Sequence, residues 1–346
     1  MNLIKYILSQ IYFMAHAFVG LLYKIKIKKT YNFKGTIIPV GNLTAGGSGK
    51  TPFIVLVSKI LKNLDCKHAV VSRGYNRKST KNILFTKENQ GMYTVNDTGD
   101  EPYMLGSLLP DVPILIGNKM KGIMLGSETC KINTFLLDDA FQTHQINNNI
   151  NIVLVDLSLK FNDYKLLPLG LLREPVNKIK CADVVVFTKK NINKDQSEAN
   201  KIVSLLNKHI NKEKQLCLNA DFCHRLVLFE KNKSISSSFV KPVQNNKKIV
   251  AISGIANNNS FQDMLPFYFS NIIKIFSFRD HHNYSTNDID KIIQTLNQNN
   301  VDSLVTTRKD FVKLKDSLFK YNIYIVDVEH QIKEIDKLDA FFKKRI

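Results

Sequence analysis

The stretch Val40-Gly41-Asn42-Leu43-Thr44-Ala45-Gly46-Gly47-Ser48-Gly49-Lys50-Thr51-Pro52 restricts this chain more than any other. A phosphate-binding loop needs consecutive backbone N–H groups facing a concavity, a lysine to reach the outer phosphates and a hydroxyl for a divalent cation. Thr44, Ala45, Gly46, Gly47, Ser48 and Gly49 form the candidate cradle, and Lys50 and Thr51 supply the charge and the oxygen. The pattern G-x-x-x-x-G-K-[ST] puts Thr44 where its first glycine should stand. The context still fits: Thr36-Ile37-Ile38-Pro39-Val40 reads as a buried strand, and Phe53-Ile54-Val55-Leu56-Val57 opens an apolar helix. Pro52 suits the first turn of that helix, where backbone N–H groups lack intrahelical partners.

Such a loop belongs to a parallel α/β sheet, and the rest of the chain supplies one. Ala69–Ser72, Phe135–Leu137, Ile152–Val155 and Val184–Phe187 are short apolar runs alternating with longer mixed stretches. A second series follows at Ile249–Ile252, Ile272–Phe276, Ser303–Val305 and Ile323–Val326. With 346 residues, 44% hydrophobic and 23% charged, the chain has room for two domains. The expected organisation is an N-terminal helix over 1–30, a P-loop domain over 31–215, a β-hairpin linker over 216–247 and a smaller α/β domain over 248–346. Five scattered cysteines, with no C-x-x-C pair, disfavour a disulfide framework or a zinc site.

The net charge of +19 implies an anionic partner. Lys5, Lys24, Lys26, Lys28, Lys29 and Lys34 surround an apolar run from Leu3 to Tyr23, with no acidic residue before position 36. Along that run Lys5, Ser9, Tyr12, His16, Gly20 and Tyr23 recur at three- and four-residue steps, leaving Ile4, Ile7, Leu8, Ile11, Phe18 and Leu22 elsewhere. An amphipathic helix lying in an anionic lipid interface fits this pattern. A spanning helix, a buried core helix and a signal peptide cut after Ala15-His16-Ala17 are the competing readings.

In parallel sheets, ligands gather at the carboxyl ends of strands. Thr134-Phe135-Leu136-Leu137-Asp138-Asp139 ends there in two carboxylates, one of which should orient a metal or its waters. Gly99-Asp100-Glu101-Pro102 places two acids in a tight turn, and Phe278-Arg279-Asp280-His281-His282 follows a strand of the second series. Together they offer a carboxylate and an imidazole for proton transfer across a cleft. Arg73-Gly74-Tyr75 and Arg173-Glu174-Pro175 present guanidiniums that either hold anionic groups or form structural ion pairs.

With these pieces in order, VGNLTAGGSGKTP, VSRGY (71–75), GDEP (99–102), LLDDAFQ (136–142), LLREP (171–175), SGIA (253–256), FRDHHNYS (278–285) and TTRKD (306–310), the chain resembles the tetraacyldisaccharide 4'-kinases, P-loop lipid kinases of lipid A biosynthesis. The likeness spans nearly the whole chain, and in that family a hydroxyl residue characteristically stands at the position of Thr44. The resemblance implies ATP and Mg²⁺ as cofactors, with Lys50 and the loop on the phosphates and Thr51, Glu101, Asp138 and Asp139 around the metal. It implies Asp100 as base toward the sugar 4'-hydroxyl, His281 as its partner, and Arg73, Tyr75, Gln142 and Arg173 as substrate contacts. It implies a lipid A disaccharide precursor as acceptor and a monomer, peripheral or monotopic, at the cytoplasmic face of the bacterial inner membrane, with no nucleic-acid partner. Two positions depart from the family: Thr143, followed by His144, replaces its usual His, and Lys119 and Lys121 stand near an expected Arg.

A P-loop GTPase-type regulatory switch is the alternative, because Thr188-Lys189-Lys190-Asn191 loosely follows a guanine-reading [NT]-K-x-D element with Asn191 at the Asp position. A nucleic-acid-dependent ATPase has only the net charge behind it.

Overall fold

The computed structural model describes residues 2–143, 146, 147, 149–230 and 245–346. Its strands are β1 (Thr36–Asn42), β2 (His68–Ser72), β3 (Ile83–Phe85), β4 (Ile114–Ile116), β5 (Thr134–Asp138), β6 (Ile152–Asp156), β7 (Val184–Thr188), β8 (Leu216–Phe229), β9 (Asn245–Ser253), β10 (Phe269–Ser277), β11 (Ser303–Thr307) and β12 (Asn322–Ile332). They form one mixed sheet of twelve strands in the order β10-β9-β11-β12-β8-β7-β6-β1-β5-β2-β4-β3. Every residue of β2, β5, β6 and β7 is buried, as expected for parallel strands covered on both faces. β3 with β4 and β8 with β12 are the antiparallel pairs.

β1 lies between β5 and β6, so the sheet order reverses beside it. That reversal opens the crevice in which α/β proteins bind ligands. The register sets Val40 opposite Asp138, which places the end of β5 at the base of the glycine loop.

The expected hairpin linker over 216–247 falls only partly within the described residues. Residues 216–220 of β8 pair in parallel with β7, and residues 220–229 pair antiparallel with β12. One long strand thus carries the sheet from the P-loop half into the C-terminal half, and 231–244 lie outside the described residues. One buried apolar cluster, from Ile38 and Phe53 to Phe311 and Phe342, runs under both halves.

Helix α1 (Asn2–Lys24) stands apart from this core, with 6% of its most apolar window buried. A buried core helix is therefore set aside. Its polar stripe is the face turned to the protein: Ser9 is buried and Tyr12 and His16 are half-buried, while Leu3, Ile4, Ile7, Ile11 and Phe18 are exposed.

Candidate active site

The loop between β1 and helix α2 (Lys50–Asn63) is shaped by its glycines where the backbone requires them. Gly46 and Gly49 have φ of 109° and 84°, in the left-handed region. A Cβ on Gly46 or Gly47 would meet nothing within 4 Å, so their concave side is open to a ligand. Ser48 Oγ is buried there without a partner among the described residues. Thr44 explains the missing glycine: it is buried and paired in an antiparallel bridge with Leu172, and its φ is not positive. Ala45 N–H donates to Leu171 O at 2.7 Å, continuing that pairing.

Asn42, at the end of β1, gathers the surrounding cations. Its Oδ1 accepts from Lys50 Nζ at 3.2 Å and from Arg173 Nη2, and its carbonyl accepts from Gln142 Nε2 at 2.8 Å. Nothing in the sequence separated Asn42 from an ordinary strand-end residue.

Asp139 adopts a left-handed backbone, φ 45°, and turns its carboxylate to Arg173, which grips it through both terminal nitrogens at 3.0 and 2.7 Å. Lys50 stands 3.5 Å from the same carboxylate. Burial raises the pKa of Asp139, but the Arg173 hydrogen bonds and the Lys50 charge outweigh it and hold the group well below the usual carboxylate range. Asp138 is buried and accepts from Ser72 Oγ at 3.0 Å. Burial pushes Asp138 up, and Glu101 is pushed up by burial and then by the charge of Asp138.

Glu101 and Asp138 are thus two carboxylates under mutual repulsion beside a P-loop, the condition that a bound cation relieves. Among the described residues no cluster of three or more His, Cys, Asp or Glu is disposed to hold a metal. Two acids and the Thr51 hydroxyl suit Mg²⁺, which keeps waters and substrate phosphates as its remaining ligands.

Asp100 occupies the first turn of a helix, Asp100–Leu108, rather than the expected tight turn; Gly99, φ 88°, makes the corner before it. His281 reaches it across the cleft, Nδ1 to Oδ2, at 2.8 Å. Lys309 Nζ lies 3.1 Å from His281 Nε2. An ammonium has only protons to give, so Nε2 accepts and Nδ1–H donates to Asp100. Lys313 Nζ adds a contact to Asp100 at 3.1 Å. Burial opposes ionisation of Asp100, and His281, Lys309 and Lys313 together overcome it, lowering its pKa to about 2. His282 is engaged elsewhere, 3.0 Å from Asp288 and stacked on Phe278.

The remaining candidates divide. Tyr75 is exposed with its ring 5.2 Å from that of His281, and Arg73 is exposed. Lys119 is buried, donates to Asp139 O at 2.7 Å, and is lowered to about 8 by burial and then by the Arg73 charge. Lys121 is exposed at the start of its helix, Thr143 N–H donates to Ala140 O, and His144 lies outside the described residues. Lys309, Lys313 and His330 were not singled out from sequence. His330 Nε2–H donates to Gly49 O at 2.8 Å, from β12 onto the loop. Lys189 bonds the Gly47 carbonyl and pairs with Asp156 at 2.7 Å. Asn191 is committed to the Phe222 main chain, donating to its carbonyl and accepting from its N–H, both at 2.9 Å.

The glycine loop, Lys50, Glu101, Asp138, His281, Lys309 and His330 line one cleft of about 2220 Å³. A glycine loop, a lysine and acids on one wall, with a carboxylate–imidazole pair completed from the other, define a P-loop phosphotransferase.

A profile of the family described as Tetraacyldisaccharide-1-P 4'-kinase matches residues 1–346, and the chain belongs to that family. It is 31% identical to a protein of Halothermothrix orenii named tetraacyldisaccharide 4'-kinase, over 94% of this chain and 88% of the relative. A relative of that name from Aquifex aeolicus is 30% identical, over 90% of this chain and 89% of its own length. The structure is similar to the crystal structure of "apo" form LpxK from Aquifex aeolicus in complex with ATP, with a TM-score of 0.73, 25% identity, and coverage of 97% and 96% of the two chains.

Proposed function

We propose that this protein transfers the γ-phosphoryl group of ATP to the 4'-hydroxyl of tetraacyldisaccharide 1-phosphate, giving lipid IVA in lipid A biosynthesis. The observation that carries the reading is the Asp100–His281 contact, 2.8 Å, formed across the same cleft that holds the glycine loop. The acceptor oxygen bonds the γ-phosphorus while the bond to the bridging oxygen breaks and ADP leaves with that electron pair. Asp100 receives the hydroxyl proton. A loose transition state asks little of this base, so its main work, with Nδ1–H of His281, is to orient the attacking oxygen.

Lys50 and the loop N–H groups hold the β- and γ-phosphates. Thr51, Glu101 and Asp138 would hold Mg²⁺, which neutralises charge on the phosphate oxygens when bound. Asp138 is preferred to Asp139 because Arg173 and Lys50 already engage Asp139. Arg73, Tyr75, Gln142 and Arg173 border the acceptor side, and closure of the C-terminal half over the P-loop half excludes water. Helix α1, apolar outward and followed by Lys24, Lys26, Lys28, Lys29 and Lys34, supports docking on anionic lipid at the cytoplasmic face of the inner membrane.

Labelled γ-phosphate transfer to tetraacyldisaccharide 1-phosphate in detergent micelles tests the reading, with Asp100→Ala beside wild type. Transfer that collapses in the variant is expected. A folded, ATP-binding wild type that transfers nothing would overturn it.

A further inference from the structure

Amphipathic helices of globular proteins bury their apolar face. Helix α1 does the reverse. Its polar stripe makes three contacts on successive turns, all onto one short segment. Ser9 Oγ donates to Leu166 O at 3.2 Å, Tyr12 OH donates to Arg173 O at 3.0 Å, and His16 Nε2 lies 2.9 Å from Glu174 Oε1. Glu174 is 2% exposed, so the imidazole meets a carboxylate almost wholly withdrawn from water.

That segment is also the wall of the glycine loop. Leu171 O accepts from Ala45 N–H, Leu172 bridges Thr44, and Arg173 N–H donates to Leu43 O at 2.7 Å. Its Arg173 side chain then grips Asp139 and Asn42. From His16 to the loop backbone there are only two residues, Glu174 and Arg173, and each is fixed by hydrogen bonds on both sides. Leu3, Ile4, Ile7, Leu8, Ile11 and Phe18 of α1 take no part in this and stay exposed.

We propose that the Ser9–Tyr12–His16 stripe makes α1 the positioning element for Arg173 and the glycine loop, coupling attachment of its apolar face to a lipid surface with the geometry of the nucleotide site. The inference rests on the lipid-kinase reading for the nature of that surface. A lipid layer over α1 restrains the helix and keeps water, in which a polar contact is weaker, from the His16–Glu174 contact. Both effects hold Arg173 in place. By linkage, a membrane that favours the gripped arrangement must change nucleotide affinity, and the change must vanish when the stripe is cut.

The test uses the full chain with vesicles containing anionic phospholipid, comparing wild type, Tyr12→Phe, His16→Ala and His16→Gln. Three quantities are measured beside vesicle co-sedimentation: kcat and KM for phosphoryl transfer to tetraacyldisaccharide 1-phosphate, and ATP affinity by calorimetry with and without acceptor-free vesicles. Tyr12→Phe and His16→Ala should lower kcat by about fivefold or more with co-sedimentation and acceptor KM unchanged, and His16→Gln, whose amide can still donate to Glu174, should recover most of it. Vesicles alone should shift ATP affinity in wild type and not in His16→Ala. Wild-type kcat in both cutting variants, with no vesicle effect on ATP affinity, overturns the inference. An ATP-affinity shift abolished by His16→Ala in a wild type that transfers no phosphate sustains the coupling and removes the lipid-kinase reading instead.

Discussion

The two walls of the cleft are built in different ways. On the P-loop wall, Asn42, Asp138 and Asp139 come from the ends of adjacent parallel strands and Lys50 from the helix start just after the glycine loop, and Lys50 contacts both Asn42 and Asp139. On the C-terminal wall, His281, Lys313 and His330 come from a loop, a helix and a strand far apart in sequence, and each is aimed at a group on the opposite wall, while Lys309 braces His281. The first wall is a local motif that holds itself. The second is made by the sheet, because β8 and β12 set the distance at which those side chains reach across.

If the cross-wall contact is where catalysis is completed, the largest loss comes from its receiving end. Asp100→Asn should reduce phosphoryl transfer by about 10²- to 10⁴-fold while ATP binding by calorimetry stays near wild type. An equal loss of ATP affinity would assign Asp100 to the P-loop wall instead.

His330 sharpens the comparison through pH. Burial lowers its pKa from 6.5 to about 4, so the native state keeps it neutral where the unfolded chain takes up a proton. Between those values the unfolded state binds more protons. Stability should therefore fall as pH drops from about 6.5 towards 4, by at most about 3 kcal/mol from this group, and the loss should be complete below 4. Urea denaturation at pH 7 and pH 5 should show a smaller difference in His330→Gln, which keeps an amide donor for Gly49 O and cannot titrate.

His281→Ala removes only the giving side of the contact and leaves Lys313 on Asp100, so kcat should fall by about 10- to 100-fold with little change in KM for ATP, read by steady-state assay. The smallest effect tests the self-supporting wall. Arg173→Lys keeps the charge near Asp139 but loses the two-point grip, and a loss of about three- to tenfold in kcat/KM is expected. A loss larger than that of His281→Ala would reverse the ranking of the two walls.

The sequence alone carried the P-loop wall apart from Asn42, since strand, glycine loop and helix are contiguous and their chemistry depends on backbone conformation that glycine permits. It also carried the family, through the order of motifs from Val40 to Asp310, and the strands of both halves, whose apolar runs match the observed elements closely. It marked Asp100 and His281 as complementary chemistry, yet His281 and His282 are indistinguishable as letters, and only packing commits one to Asp100 and the other to Asp288. Lys309 sat within a recognised motif without a role, because the role depends on an imidazole 28 residues away. The partners of Leu216–Phe229 were not legible, because alternation along it describes any strand with unlike faces, and β7 and β12 lie far off in sequence. The polar stripe of α1 was visible as a period, but not whether it met water or protein. Period follows from the 3.6-residue turn of one helix, whereas facing depends on what the rest of the chain sets beside it, here Leu166, Arg173 and Glu174.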